Sequence, residues 1–170
     1  LETTLGAERA QQMVSEAMSS LPFVEELIQR EGIDADYKRS GRFLGAWCDA
    51  HFRSLQGQVD LYRKLTGMRA EALGPDRQRE EIGSDYYRGG LAADAFGSLH
   101  PAKYHQGLAK VTRAAGAHLI DGTRVTALKR EEGGFRVATV RGSLQAKNVF
   151  VATNGYTGEV TSWMRRRVIP

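Results

Sequence analysis

The hydrophobic period of this chain changes partway along it, and that change limits the fold more than any other feature. Early in the chain, apolar residues recur at three- and four-residue spacing. Ala10, Met13, Val14, Ala17 and Leu21 form one such set, and Phe52, Leu55, Val59, Tyr62 and Leu65 another. That spacing lines one face of a helix. From His118 onward the pattern is that of strands and turns. Phe135, Val137 and Thr139 alternate as on a half-buried strand, Gly133-Gly134 and Arg141-Gly142 turn the chain, and Val149-Phe150-Val151-Ala152 is continuously apolar. Such a run fits a strand buried on both faces. Helices followed by strands predict an α+β fold, with helices packed on a mixed or antiparallel sheet.

Local punctuation refines this. A helix is expected over residues 5–31, kinked or broken near Ser20 by Pro22. Gly32 suits a left-handed stop, with Ile33 as its apolar partner. Ala35–Arg39 and Arg42–Trp47, either side of Ser40-Gly41, read as a hairpin. Asp49 is placed to cap a helix over 50–65 that ends at Gly67, and Gly74-Pro75-Asp76 opens a short helix reaching Ile82. Tyr86–Ala92 reads as a glycine-bearing strand. A further helix runs over 102–115, entered through His100-Pro101, with Leu108 and Val111 inward and Gly116 as its stop. Val125 and Ala127 lie on the first strand of the last part.

Composition excludes several classes. The 170 residues suit one ordinary domain, and the single cysteine, Cys48, rules out an internal disulfide or a cysteine-based zinc site. Beside Trp47 it reads as a buried small hydrophobe. No apolar stretch approaches the ~18 residues of a membrane span, and no secretory leader is visible, so a cytoplasmic protein is expected. The net charge is +4, but its charges are interspersed except at Arg165-Arg166-Arg167. With no recognisable module, a nucleic-acid partner is not expected. The chain starts at Leu1 and stops at Pro170, directly after Val168-Ile169, where a strand could be starting. An interior piece of a longer protein is the expectation.

The residues alone do not name a reaction. Val149–Gly158 is either a strand and glycine turn that brings backbone N–H groups to an anionic ligand, or a plain structural turn. His100 has no Ser, Cys or carboxylate beside it, which favours a cap or packing role over catalysis. Tyr86-Tyr87 reads as a strand pair or a substrate wall. There is no Gly-x-Gly-x-x-Gly, no Walker loop and no metal-binding spacing. A self-contained, non-enzymatic α+β binding or interaction module stays open on this evidence.

Two blocks taken together say more. Ser84-Asp85-Tyr86-Tyr87-Arg88-Gly89-Gly90 leads to Leu99-His100-Pro101-Ala102-Lys103-Tyr104. After Ala115-Gly116-Ala117 come Thr123-Arg124-Val125-Thr126-Ala127-Leu128, the Val149–Gly158 segment and Arg166-Arg167-Val168-Ile169-Pro170. In this order the chain resembles the middle of an FAD-dependent oxidoreductase of the D-amino-acid oxidase family, in its glycine, sarcosine and gamma-glutamylputrescine oxidase branch. The resemblance implies a flavin domain plus a substrate domain, truncated here at both ends. It assigns 1–83 to a helical segment with a hairpin, 84–122 to a strand and the His-Pro helix at the domain junction, and 123–170 to the β-rich part of the FAD-binding domain. Tyr86–Ala92 would lie in the substrate-domain sheet, facing the flavin ring. Val125 would lie on the strand reading the adenine edge, and Ala152, Thr153, Asn154 and Gly155 would lie against FAD. The implied partners are an amine or amino-acid substrate and molecular oxygen. The implied reaction moves a hydride from the amine carbon to the flavin, with imine hydrolysis and peroxide release. The glycine fingerprint and the substrate-carboxylate residues fall outside the sequence, so no catalytic residue is assigned and the chain alone is expected to be inactive.

Overall fold

The computed structural model describes residues 2–167. The expectation of a strand at Val168-Ile169 lies outside the described residues. A short helix α1 (Glu2–Leu5) precedes α2 (Ala7–Arg30), a single helix that contains Pro22. Pro22 offers no N–H to the carbonyl one turn before it, yet the expected break does not occur. Its fixed φ is itself helical. The helix ends as its sequence requires. Gly32 takes φ 61°, its N–H donates to the Gln29 carbonyl at 3.3 Å, and the Ile33 N–H reaches the Ile28 carbonyl at 2.9 Å. Ile33 is buried behind this turn.

The rest of the architecture is β1 (Arg42–Gly45), α3 (Asp49–Thr66), β2 (Ala70–Leu73), β3 (Gly90–Ala93), α4 (Pro101–Ala114), β4 (Val125–Glu131), β5 (Gly134–Thr139), β6 (Gly142–Ala146) and α5 (Ser162–Arg165). Short 3-10 turns lie at Gln78–Glu80, Asn154–Tyr156 and Glu159–Thr161. The chain divides into two compact units, one ending at Ala117 and the other starting at His118. Both sheets are antiparallel, and the fold class is α+β as expected.

In the first unit the strand order is β1-β3-β2. Arg42 pairs with Ala93 and Gly45 with Gly90 on one side of β3, while Ala70 pairs with Ala93 and Leu73 with Gly90 on the other. The hairpin expected over 35–47 is therefore not formed. Lys38 bridges Ser98, the Gly41 N–H donates to the Phe96 carbonyl, and β1 takes β3 as its neighbour. A Ser-Gly turn permits a hairpin but does not choose the partner, and β3 wins because its Leu91 and Ala93 reach the core. The sheet thus joins strands from both sides of residue 83. The expected strand over Tyr86–Ala92 is also shorter, starting at Gly90. The helix α3 covers this sheet, and Ala46, Leu55, Val59, Ala70, Leu91 and Ala93 form the core, with Phe52, Tyr62 and Phe96 packed against it. Arg63 fixes the end of α3 by donating twice to the Ala70 carbonyl, at 2.9 and 2.7 Å. Gly67 then stops the helix at φ 67°. Its N-cap is Cys48, with Asp49 the first helical residue rather than the cap.

Segment 33–39 is tied to α2 through Glu25. Tyr37 donates to Glu25 Oε1 at 2.6 Å, and Arg39 donates to both carboxylate oxygens at 2.9 Å. The Tyr37 hydroxyl first, and the Arg39 guanidinium second, hold the Glu25 carboxyl below its usual range. A lowered folded-state pKa means stability that is present above the unfolded value of about 4.3 and is lost as pH falls through the folded one. Glu25→Gln is therefore expected to lower the urea midpoint at neutral pH. Its deficit against the parent should close below about pH 4 in paired urea titrations. A deficit that stays constant down to pH 3 would mean the carboxylate charge is not what holds this contact.

The second unit is a meander, β4-β5-β6, with Glu131 paired to Gly134 and Thr139 to Gly142 at its turns. Gly133 and Gly134 take φ 80° and 158° at the first turn. The strand expected at Val149–Ala152 is absent. That segment is assigned to no element and Phe150 is 92% exposed. A strand buried on both faces needs neighbours on both sides, and the meander supplies none to it.

Candidate functional site

The expected cofactor residues fall in the second unit. After Ala152 the chain bends sharply. Asn154 adopts φ 46°, a left-handed conformation that Asn tolerates better than most residues. The Tyr156 N–H donates to the Thr153 carbonyl at 3.0 Å and the Thr157 N–H to the Asn154 carbonyl at 3.2 Å. Thr157 is the anchor of this turn. It is buried, its hydroxyl donates to the Asn154 carbonyl at 2.6 Å, and it lies 2.8 Å from the Thr153 hydroxyl. Among the described residues, the N–H groups of Ala152, Thr153, Asn154 and Gly155 have no backbone acceptor. Ala152, Thr153 and Asn154 are exposed and Gly155 is half-buried. The turn is thus a short row of open donors with small side chains, held from behind by one threonine. Such a row suits the polar edge of a nucleotide cofactor.

Val125 sits apart from that turn in sequence, at the first position of β4, opposite Thr139. The register slips between Val125 and Ala127, a bulge that frees the backbone just beyond Val125. β4 meets the same segment of chain a little further on, at the Glu159–Thr161 turn. β4 and the Glu159–Thr161 turn are therefore neighbours within this unit.

Other candidates resolve plainly. His100 is the N-cap of α4. Its backbone is extended at φ −85° and ψ 108°, its Nδ1 accepts the Lys103 N–H at 3.4 Å, and Pro101 follows in the first turn. It is a cap histidine. Lys103 in turn reaches Asp36 at 2.8 Å and Asp34 at 3.4 Å. Cys48 is exposed, against the expectation of a buried thiol. It leaves the core because β1 ends at Gly45 and the chain turns there into α3, so only Ala46 of that stretch is buried. A groove of about 780 Å³ lies between the end of α2 and α4, lined by Ile33, Asp34, Lys103, Gly107 and Lys110 among others, and none of the expected cofactor residues lines it.

Sequence reasoning missed one grouping. Trp47, Tyr86 and Tyr87 gather with ring centroids 5.5–5.6 Å apart and planes at 73–90°. The available signal was glycine at 45, 89 and 90. A Cβ on Gly45 would lie 2.5–2.7 Å from the Tyr87 ring, and one on Gly90 would strike Phe43.

Residues 3–170 match the family model described as FAD dependent oxidoreductase, and the chain belongs to that family. FAD is the cofactor that this membership gives the full-length protein. Among curated relatives, gamma-glutamylputrescine oxidoreductase of Escherichia coli K12 is 29% identical over 171 residues, covering 100% of this chain and 40% of the relative. Among solved structures, glycine oxidase from Geobacillus kaustophilus superposes with a TM-score of 0.75 at 21% identity, covering 86% of this chain and 40% of that one. L-proline dehydrogenase from P. horikoshii does so at 0.63 and 16%, over 87% of this chain and 38% of that one. These structural likenesses establish the fold. The chain spans about two fifths of the length of its curated relatives. Membership weighs against the self-contained, non-enzymatic binding module that the residues alone left open. Among the described residues no helix is long and apolar enough to cross a membrane.

Proposed function

We propose that the full-length protein is an FAD-dependent oxidase of an amine or amino acid, acting on a CH–NH or CH–NH2 donor with molecular oxygen as acceptor, in the cytoplasm. The observation that carries this is the family match along residues 3–170, joined to a relative, similar over the whole chain, that is named for an amine. When bound, FAD supplies the hydride acceptor, leaving an imine for water to hydrolyse and passing electrons to oxygen as peroxide. This chain's part is to bind and to frame. The open N–H groups of Ala152, Thr153, Asn154 and Gly155 would hold a polar edge of the cofactor, and the backbone at Val125 would flank its adenine end. No residue within this sequence is assigned a proton-transfer role, and the 170 residues alone are expected to be inactive.

The test uses a protein of the length of the curated relatives that carries this sequence. Expected are bound flavin absorbance on purification and peroxide release with at least one member of a panel of secondary amines, gamma-glutamyl amines and amino acids. Flavin bound but a flat response across the panel would overturn the substrate class. Absence of flavin after reconstitution with FAD would overturn the cofactor placement.

A further inference from the structure

The direction in which the Ala152–Gly155 turn points its donors is set by the carbonyls behind them. Among the described residues no peptide bond is cis. In a trans peptide plane the C=O and the N–H point opposite ways, so each carbonyl fixes the direction of the next residue's N–H. The Thr153 carbonyl accepts the Tyr156 N–H at 3.0 Å, which turns the Asn154 N–H away from the inside of the turn. The Asn154 carbonyl is held twice by Thr157, through its N–H at 3.2 Å and its hydroxyl at 2.6 Å, which turns the Gly155 N–H outward as well. The backbone angles agree. Thr153 is right-handed at φ −88° and ψ −8°, and Asn154 follows left-handed at φ 46°. That succession lets consecutive N–H groups converge on one acceptor.

A proton count sharpens the role of the hydroxyls. A threonine has a single hydroxyl proton. Thr157 gives its own to the Asn154 carbonyl, so across the 2.8 Å between the two hydroxyls the donor is Thr153. Both side-chain protons are therefore turned inward, and the donors that the turn offers outward are backbone N–H groups. The competing arrangement is a flip of the Asn154–Gly155 peptide plane, which would point the Gly155 N–H inward. A flip breaks both bonds from Thr157 and takes the carbonyl away from a hydroxyl on a residue only 8% exposed, where a lost partner is not replaced by water. We infer that the Thr157 hydroxyl is the positioning group of the cofactor turn, locking the Asn154–Gly155 peptide plane so that the Asn154 and Gly155 N–H groups stand ready for an electron-rich edge of FAD. Thr157 acts through Asn154 and Gly155 and not by touching the cofactor. The inference rests on the cofactor reading above.

The test reads FAD affinity and not turnover. A protein of the length of the curated relatives that carries this sequence is stripped of flavin and titrated with FAD, and the Kd is taken from flavin fluorescence. Thr157→Val keeps the shape of the side chain and removes the hydroxyl, whereas Thr157→Ser keeps the hydroxyl and removes the methyl. Thr157→Val is expected to raise the Kd about tenfold, the worth of one hydrogen bond, and Thr157→Ser to stay within about twofold of the parent. A packing role alone gives the opposite order, because serine leaves a cavity and valine does not. Equal affinity in the parent and in Thr157→Val, or an equal loss in the valine and serine variants, overturns the positioning role. Should Thr157→Val fail to fold, Thr157→Ser against Thr157→Cys makes the same comparison, since the two side chains are close in size and only serine donates strongly. A tighter Kd for serine than for cysteine is then expected, and equal values overturn the role. A parent that takes up no FAD overturns the cofactor reading, and this inference with it.

Discussion

Leu55→Ala is expected to destabilise the first unit by about 2–5 kcal/mol, read as a lower urea midpoint with an unchanged slope. Leu55 is 2% exposed and lies at the centre of the cluster formed by Ala46, Val59, Ala70, Leu91 and Ala93. Four of the five residues around it are smaller than leucine and three are alanine, so Leu55 supplies much of the volume between α3 and the sheet. Small neighbours on a paired sheet cannot swing inward to fill the space it would leave, because β3 is pinned by hydrogen bonds on both edges. The cavity term should then add to the transfer term rather than be relaxed away, which places the cost in the upper part of the range. Leu61→Ala, on the same helix but 45% exposed, should cost well under half as much. Equal losses from the two would show that α3 does not present the Leu55 face to the sheet.

Gly89→Ala is expected to cost about 2–6 kcal/mol through two separate effects. Gly89 holds φ 98°, where a side chain is strained by about 1–3 kcal/mol. An added Cβ would also lie 2.5 Å from the Leu73 carbonyl oxygen and 2.7 Å from the Phe52 ring. Forcing a methyl into such a site costs a further ~1–3 kcal/mol, because the carbonyl belongs to β2 and cannot move without breaking its pairing with β3. The same residue accepts the Ala46 N–H, so the change should also disturb the Trp47, Tyr86 and Tyr87 rings. Near-ultraviolet circular dichroism would report that disturbance beside the urea midpoint. Gly57→Ala is the control. It lies within α3 with open space around it, and it should stabilise by about 0.5–1 kcal/mol. If Gly89→Ala were neutral, the close approach of β2 and Phe52 to this turn would be wrong.

The parts of the fold that were legible in the residues are those whose information is local. The end of α2 is one, because Gly32 and Ile33 carry both the left-handed turn and its apolar partner within two positions. The cap of α4 at His100-Pro101 and the Gly133-Gly134 turn are others. Strand partnership was not legible. The four-residue strands β1 and β2 are too short to carry a periodic signal, and neither β2 nor β6 corresponds to an expected strand. β1 pairs with a segment almost fifty residues later rather than with the one just before it. Nothing local distinguishes these outcomes, since the choice depends on which pairing buries Leu91 and Ala93 beneath α3.

The same division runs through the site. The run from Ala152 to Gly155 was visible as small residues after an apolar stretch, and the family match covers it. That Thr157 anchors the turn, and that Asn154 bends it, is set by the folded chain. The aromatic grouping is set by it wholly, because Trp47 and Tyr86 are thirty-nine positions apart in the sequence. By itself the sequence determined the main helices and their stops, the β4–β5 hairpin and the family, through periodicity, turn chemistry and ordered motifs. The tertiary structure alone decided which strands are neighbours, that Cys48 and Phe150 face outward, and that three rings meet beside Gly45. The physical reason is that propensity and capping act over a few residues, whereas burial is settled by whatever distant segment best covers an apolar face.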